Sequence, residues 1–105
     1  MEKLVALLLL AAAALPLGAG EPWTLVLRNH DFIPARLEVP AHAKFRLLIR
    51  NEGDKTMEWE SDELDREEVI APNEERAIFL GPLEPGEYPF YDDRHQDSKG
   101  VLVAK

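Results

Sequence analysis

The sequence PGEYPFYDDRHQDSKGVLVAK, residues 85–105, decides the fold, because it holds two strand-like runs on either side of a polar loop. A Pro-Gly turn signal precedes the first run, residues 86–92, and apolar residues dominate the second, residues 100–104. Between the runs lie Asp93, Arg94 and His95, and Asp92 ends the first run. The segment therefore predicts two late strands whose connection carries side chains able to bind ions.

The same alternation of apolar and polar residues runs through the rest of the chain after residue 21, most clearly at residues 23–28 and 45–50. A period of two is typical of half-buried strands. Turn signals separate these runs at short intervals, and strands are predicted near residues 23–29, 36–39, 43–51, 57–60, 67–70, 75–80, 86–92 and 100–104. Many short strands at this spacing predict an all-β fold, either a β-sandwich or a small barrel.

Two local features add detail to this prediction. Residues 61–64, Ser-Asp-Glu-Leu, indicate a helical turn that Ser61 could cap. Tyr88 follows a Pro-Gly turn at the start of a late strand, where a tyrosine hydroxyl often bonds to backbone at a Greek-key corner.

The N-terminus has the pattern of a secretory signal peptide. Lys3 precedes an apolar run at residues 4–15, and small residues with Pro16 follow it. We therefore expect a leader at residues 1–20, cleavage near Gly20–Glu21 and a mature domain at residues 21–105, with no stable membrane insertion after cleavage. An uncleaved membrane anchor is the alternative interpretation, although the apolar run is short for a span.

Composition limits the chemistry of the mature domain. The chain has no cysteine, which excludes disulfides, cysteine nucleophiles, thiolate zinc sites and iron–sulfur clusters. The formal net charge of −8 argues against nucleic acid as a partner and favours cations. An acidic surface that merely keeps the protein soluble is the alternative explanation.

The motif Tyr88-Pro-Phe90-Tyr91-Asp92-Asp93-Arg94-His95 resembles the metal loop of cupredoxins, which reads Tyr-x-Phe-x-Cys-x-x-His and is followed by a methionine. Here Asp92 stands at the cysteine position, His95 stands at the histidine position, and no methionine follows. The resemblance implies a Greek-key β-sandwich of the cupredoxin type.

The resemblance extends upstream through FIPARLEVPAHAKFRLLIRN, residues 32–51, and MEWESDEL, residues 57–64. With REEVIAPNEERAIFLGPLEPGEYPFYDD, residues 66–93, these segments are similar to the cupredoxin-like domains of bacterial periplasmic iron-transport systems. His42 and Asn73 replace glycines that are usual in that branch, and both residue types tolerate a positive φ.

The candidate metal ligands are Asp92, His95, Glu58, Met57 and Glu60. A blue-copper centre needs a cysteine sulfur, so the sequence excludes it, whereas carboxylate oxygen with imidazole nitrogen suits Cu(II), Fe(II), Fe(III) or Mn(II). Glu58 and Glu60 share one face of a strand, so Met57 and Glu58 could join one site only if the strand bends.

Each candidate has a structural alternative. Asp92 with His95 could form an ion pair or a loop cap, Glu58 with Glu60 could be a solvated strand face, and Met57 with Trp59 could be core. His30 and His42 lie in early turns and are expected at the surface.

The resemblance implies a periplasmic protein that binds copper and oxidises Fe(II) for an iron permease, together with a second periplasmic iron-binding protein. The first alternative is a copper or iron carrier without turnover. The second is a metal-free structural or interaction domain of the same fold.

Overall fold

The computed structural model describes residues 22–105, so the predicted leader lies outside the described residues. Over this range the regular elements are all β-strands, which confirms the all-β prediction: β1 (Trp23–Arg28), β2 (Asp31–Ile33), β3 (Arg36–Val39), β4 (Phe45–Asn51), β5 (Met57–Ser61), β6 (Arg66–Ile70), β7 (Glu75–Leu80), β8 (Gly86–Asp92) and β9 (His95–Ala104). The described part of the chain has no helix with the length and apolar character that crossing a membrane requires.

The strands form two sheets, one in the order β2-β1-β4-β7 and the other in the order β3-β9-β8-β5-β6. β1 pairs with β4 in parallel and β3 pairs with β9 in parallel, whereas the other pairs are antiparallel. The sandwich that the sequence predicted is therefore confirmed.

The core fills the space between the sheets because alternate residues of each strand point inward. Burial along β4 alternates strictly, and Leu47 and Ile49 have no exposed surface. Trp59 from β5 packs against Phe90 from β8, with ring centroids 5.5 Å apart. Full burial of side chains of this size stabilises the fold by roughly 1.5–3 kcal/mol each.

Gly100 lets β9 lie close to this aromatic pair. A Cβ atom at Gly100 would lie 2.6 Å from the Phe90 ring and 2.6 Å from the carbonyl oxygen of Ala35. Because the second of these atoms belongs to the backbone, a larger residue would push β9 away from β3. The glycine thereby fixes the position of the β8–β9 hairpin.

The structure corrects the predicted loop after Asp92. The sequence predicts that His95 lies in the loop between strands at residues 86–92 and 100–104, but β9 begins at His95 and residues 93–94 form a two-residue turn. Asp92 pairs with His95, while Tyr91 pairs with Lys99, so residues 96–98 form a bulge in β9. His95 therefore belongs to a strand of the β8–β9 hairpin and not to a loop.

Strand β2 was not predicted. Asn29 and His30 both have positive φ, 52° and 66°, which is the backbone of a type I′ hairpin turn between β1 and β2. Three residues then suffice for β2, which is too short for alternation to reveal.

Of the remaining local predictions, one differs from the structure and the others agree with it. Residues 62–65 form a turn between β5 and β6 instead of a helical turn, and Ser61 Oγ accepts a hydrogen bond from the amide of Leu64 at 3.4 Å. The Tyr88 hydroxyl donates to the carbonyl of Glu84 at 2.7 Å, as predicted for a Greek-key corner. His42 and Asn73 both have a φ of 64°, as expected from the glycines that they replace.

Candidate metal centre

The carboxylate of Asp92 is buried at the end of β8, where it joins the β8–β9 turn to β5. Its Oδ1 atom accepts hydrogen bonds from the amides of Glu58 at 2.9 Å and Arg94 at 3.0 Å. The amide of Asp93 also donates to the carbonyl of Glu58 at 2.8 Å. Asp92 therefore acts as a cap for the turn, which is one of the two structural alternatives to a metal ligand that the sequence left open.

His95 lies next to Asp92 in the hairpin but is exposed. Its ring stacks on that of His30, with centroids 4.1 Å apart and planes 16° apart, and its Nδ1 atom lies 3.1 Å from Ser98 Oγ. Asp92, His95 and His30 line one open cavity of about 460 Å³ at this end of the sandwich, together with Asn51 and Arg94.

The predicted ligands of β5 point to opposite sides of the sheet. Met57 has no exposed surface and belongs to the core, whereas Glu58 and Glu60 are half-buried on the outer face. Strand alternation predicted this separation. The structure thus brings Asp92 together with His95, and Glu58 together with Glu60, and it buries Met57 in the core on the face of β5 opposite the two glutamates.

Asp93 joins the two glutamates on the outer face. Glu58, Glu60 and Asp93 each offer one carboxylate oxygen, and these three atoms lie within 4.8 Å of one another. We call these three residues the carboxylate cluster. Arg94 approaches it, with its Nε atom 3.7 Å from Glu58 Oε1. Oxygen donors at this separation can converge on a hard cation.

Burial and neighbouring charges shift the pKa values of Glu60 and Tyr91 on the outer face of β5 and β8. Partial burial raises the pKa of Glu60, and the negative charges of Asp93, Glu67 and Asp62 add to the effect. Tyr91 donates its hydroxyl toward Glu60 Oε2 at 3.2 Å and also lies 3.3 Å from Asp62 Oδ1. Burial and the bond to Glu60 raise the pKa of Tyr91 to about 12, so its phenol stays protonated near neutral pH.

Removal of the Glu60 charge should stabilise the fold near neutral pH. Because the pKa of Glu60 is raised on folding, its ionisation costs stability as the pH rises through that pKa. The variant Glu60→Gln should therefore raise the Tm at about pH 7 and leave it almost unchanged at about pH 3. Thermal melts across this range measure the effect.

Replacement of Glu52 is a control in which the Tm should change in the opposite direction. Hydrogen bonds from Arg28 and Arg50 lower the pKa of Glu52, so its stabilising charge is present above the unfolded pKa and is lost as the pH falls through the folded one. Glu52→Gln should therefore lower the Tm near neutral pH. Equal Tm shifts in the same direction for Glu60→Gln and Glu52→Gln would contradict the opposite effects of burial and ion pairing on these two carboxylates.

The residues at this end do not fit a blue-copper centre. The chain has no cysteine to supply a thiolate, and the Oδ1 atom of Asp92, at the corresponding position, already accepts two backbone hydrogen bonds. Met57, the methionine predicted as a ligand, lies in the core. What the chain offers instead is a set of oxygen and imidazole nitrogen donors, which fits Cu(II) or iron better than Cu(I).

The sequence predicted that His30 lies at the surface, but it did not predict the contact between His30 and His95. The signal that could have located it is Asn29-His30 between two apolar runs, because two adjacent residues that tolerate positive φ favour a type I′ turn. That turn brings His30 to the same end of the sandwich as the β8–β9 turn. Asp93 was also missed as a member of the carboxylate cluster.

Comparison with known proteins places the fold. A family model described as a cupredoxin-like domain matches residues 3–104. An uncharacterized protein of Rickettsia prowazekii (strain Madrid E) is 42% identical over 81 residues, which cover 76% of this chain and 65% of that protein. The chain thus spans about two thirds of the length of this relative.

Solved structures agree with the family match. Auracyanin from Roseiflexus castenholzii has a TM-score of 0.68 at 13% identity, and the match covers 84% of this chain and 99% of auracyanin. A purple cupredoxin from Nitrosopumilus maritimus has a TM-score of 0.63 at 14% identity, with coverages of 79% and 99%. A copper-containing nitrite reductase from Thermus scotoductus SA-01 has a TM-score of 0.65 at 19% identity, but this chain covers 23% of it. At these identities the likeness shows the fold alone.

Proposed function

The chain belongs to the cupredoxin-like domain family, and on that premise we propose that it is an exported metal-binding protein that supports iron uptake. The observation that carries the proposal is the convergence of three carboxylate oxygens within 4.8 Å, beside the hairpin that bears Asp92 and His95. Without a cysteine, the metal must be held by these harder donors.

Iron is the proposed cargo of the carboxylate cluster. Glu58 and Glu60 are two of the ligands predicted from the sequence, and Asp93 adds a third oxygen donor within reach of both. Carboxylate oxygens favour Fe(III) over Fe(II), because the higher charge gains more from anionic ligands. The formal net charge of −8 would raise the local concentration of Fe(II) before capture.

Copper is the proposed resident metal at Asp92 and His95. Bound there as Cu(II), it would supply a one-electron acceptor for Fe(II). Asp92 would offer a carboxylate oxygen at the buried wall of the cavity, and His95 an imidazole nitrogen at its exposed edge. Arg94, between them in sequence, contacts Glu58 of the cluster at 3.7 Å and thus links the two groups of donors.

The proposed setting is the bacterial periplasm. An iron permease would receive Fe(III), and a second periplasmic iron-binding protein would act with the domain. The resemblance of residues 32–51 and 57–93 to iron-transport domains supports this setting, and so does the leader-like sequence at residues 1–20. The acidic charge supports cations as partners and argues against nucleic acid.

Titration of the mature protein with Fe(II) under anaerobic conditions, and separately with Cu(II), tests the proposal by calorimetry. The triple variant Glu58→Gln, Glu60→Gln, Asp93→Asn should lose at least about tenfold in iron affinity, since it removes the anionic donors. The control variant removes the same charge from exposed glutamates elsewhere, namely Glu63, Glu75 and Glu84, each replaced by Gln.

The results of these titrations distinguish an Fe(II)-oxidising protein from a metal carrier and from a metal-free domain. Equal iron affinity in the two triple variants would refute the cluster as the iron site. Tight iron and copper binding without multiple-turnover oxidation of Fe(II), assayed separately with O₂ supplied to reoxidise Cu(I), would make the protein a carrier. Absence of micromolar or tighter binding of either metal would leave a metal-free domain, a role that the capping hydrogen bonds of Asp92 also support.

A further inference from the structure

The bulge in β9 places a buried serine beside His95. Residues 96–98 oppose no residue of β8, and this extra length turns Ser98 inward, where 1% of its surface is exposed. Its hydroxyl oxygen lies 3.1 Å from His95 Nδ1, and it also contacts the backbone carbonyl of His30. One hydroxyl therefore links the β8–β9 hairpin to the β1–β2 turn.

The Ser98 hydroxyl can donate its hydrogen bond to only one of its two neighbours. The carbonyl oxygen of His30 can only accept a hydrogen bond, so the Ser98 hydroxyl must donate to it. Since a hydroxyl has a single proton, its oxygen can only accept from His95. Nδ1 of His95 must then carry a proton, and in the neutral imidazole Nε2 is left with a free lone pair.

The ring of His30 restrains the same imidazole from its face. The two rings lie 4.1 Å apart and 16° from parallel, which limits rotation of His95 about its side-chain bonds. The lone pair of an imidazole nitrogen lies in the plane of its ring, so two stacked rings direct their lone pairs within separate, nearly parallel planes and do not converge on one ion. His30 therefore contacts the face of His95 without sharing its ligand position.

We propose that Ser98 and His30 are positioning residues that make Nε2, and not Nδ1, the metal-binding nitrogen of His95. The inference deepens the proposed metal site and rests on it for its function, but the tautomer itself is a property of the metal-free protein. A donor fixed in tautomer and orientation by outer partners is a common feature of metal-binding histidines.

Long-range ¹H–¹⁵N NMR spectra of the metal-free protein test the inference. At about pH 8, where histidine side chains are ordinarily neutral, His95 should give the pattern of an Nδ1-protonated ring. Ser98→Ala should shift His95 toward the Nε2-protonated tautomer, while Ser98→Thr, which keeps the hydroxyl, should retain the wild-type pattern. An Nε2-protonated ring in the wild type would overturn the inference.

Two matched controls separate positioning from general damage to the fold. Ser61 is as buried as Ser98 and its hydroxyl also donates to a backbone carbonyl, that of Pro89, so Ser61→Ala should leave the His95 pattern unchanged. His42 is exposed at a φ of 64°, close to the 66° of His30, so His42→Asn is the control for His30→Asn.

Cu(II) titration of the same variants then reports on the metal. Ser98→Ala should weaken Cu(II) binding by about 10–100-fold, and His30→Asn should weaken it in the same direction, whereas both controls should bind as the wild type does. If the wild type shows the Nδ1-protonated ring but binds no Cu(II), the copper assignment fails while the positioning of His95 stands. Unchanged Cu(II) affinity in Ser98→Ala would refute the role of Ser98 at the metal.

Discussion

Replacement of Asn51 by aspartate should lower the free energy of unfolding by about 3–5 kcal/mol, the range for an uncompensated buried charge. Asn51 has no exposed surface at the end of β4. Its Nδ2 donates to the carbonyls of Lys55 at 2.8 Å and Ile70 at 3.0 Å, and its Oδ1 accepts from the amide of Gly53 at 2.9 Å. Aspartate has the same shape but turns the two attractive contacts into repulsion between oxygens.

Urea denaturation of Asn51→Asp and of the control Asn73→Asp measures the effect. Asn73 is exposed in a turn at a φ of 64°, a backbone conformation that aspartate also tolerates, so the same chemical change should cost less than about 1 kcal/mol there. The two variants carry equal added charge. A loss at Asn51 no greater than at Asn73 would contradict the role of the amide in holding the segment between β4 and β5.

Alternation was enough to predict an all-β fold, because the core is filled by every second residue of the strands, whereas the choice of a sandwich over a small barrel came from the resemblance to cupredoxins. β4 is the clearest case, since burial alternates at each position from Phe45 to Asn51, and it departs from the apolar–polar pattern of the sequence at Leu48, which faces outward, and at the buried Asn51. The same rule separated Met57 from Glu58 and Glu60. Where a strand is long and one face is buried, side-chain direction follows from sequence alone.

The rest of the candidate site depends on turns, which local patterns specify poorly. His30 meets His95 because a two-residue turn with positive φ at both positions returns the chain as the three-residue strand β2. Asp93 reaches Glu58 and Glu60 because the β8–β9 turn is also two residues long. Both contacts require the register of strands far apart in sequence, which a single sequence does not supply.

Asp92 should prove to have two separable roles, one in the fold and one in metal binding. Asp92→Ala removes the acceptor of two backbone amides, those of Glu58 and Arg94, and should cost about 2–4 kcal/mol of unfolding free energy. Asp92→Asn keeps an oxygen at Oδ1 and should cost about 1 kcal/mol, because a neutral acceptor forms the same bonds less strongly. Urea denaturation without metal measures both variants.

The same pair of variants decides whether the carboxylate also binds metal. A neutral amide oxygen is a weaker ligand for Cu(II) than a carboxylate, so Asp92→Asn should stay folded yet lose at least about tenfold in Cu(II) affinity. Asp54 is an exposed aspartate that lines the cavity shared by Asp92 and His95, and Asp54→Asn removes an equal charge there. Its Cu(II) affinity should therefore stay near the wild-type value. If both asparagine variants bind Cu(II) as the wild type does, the buried carboxylate serves the turn alone, and the oxygen at the cysteine position is a structural replacement instead of a ligand.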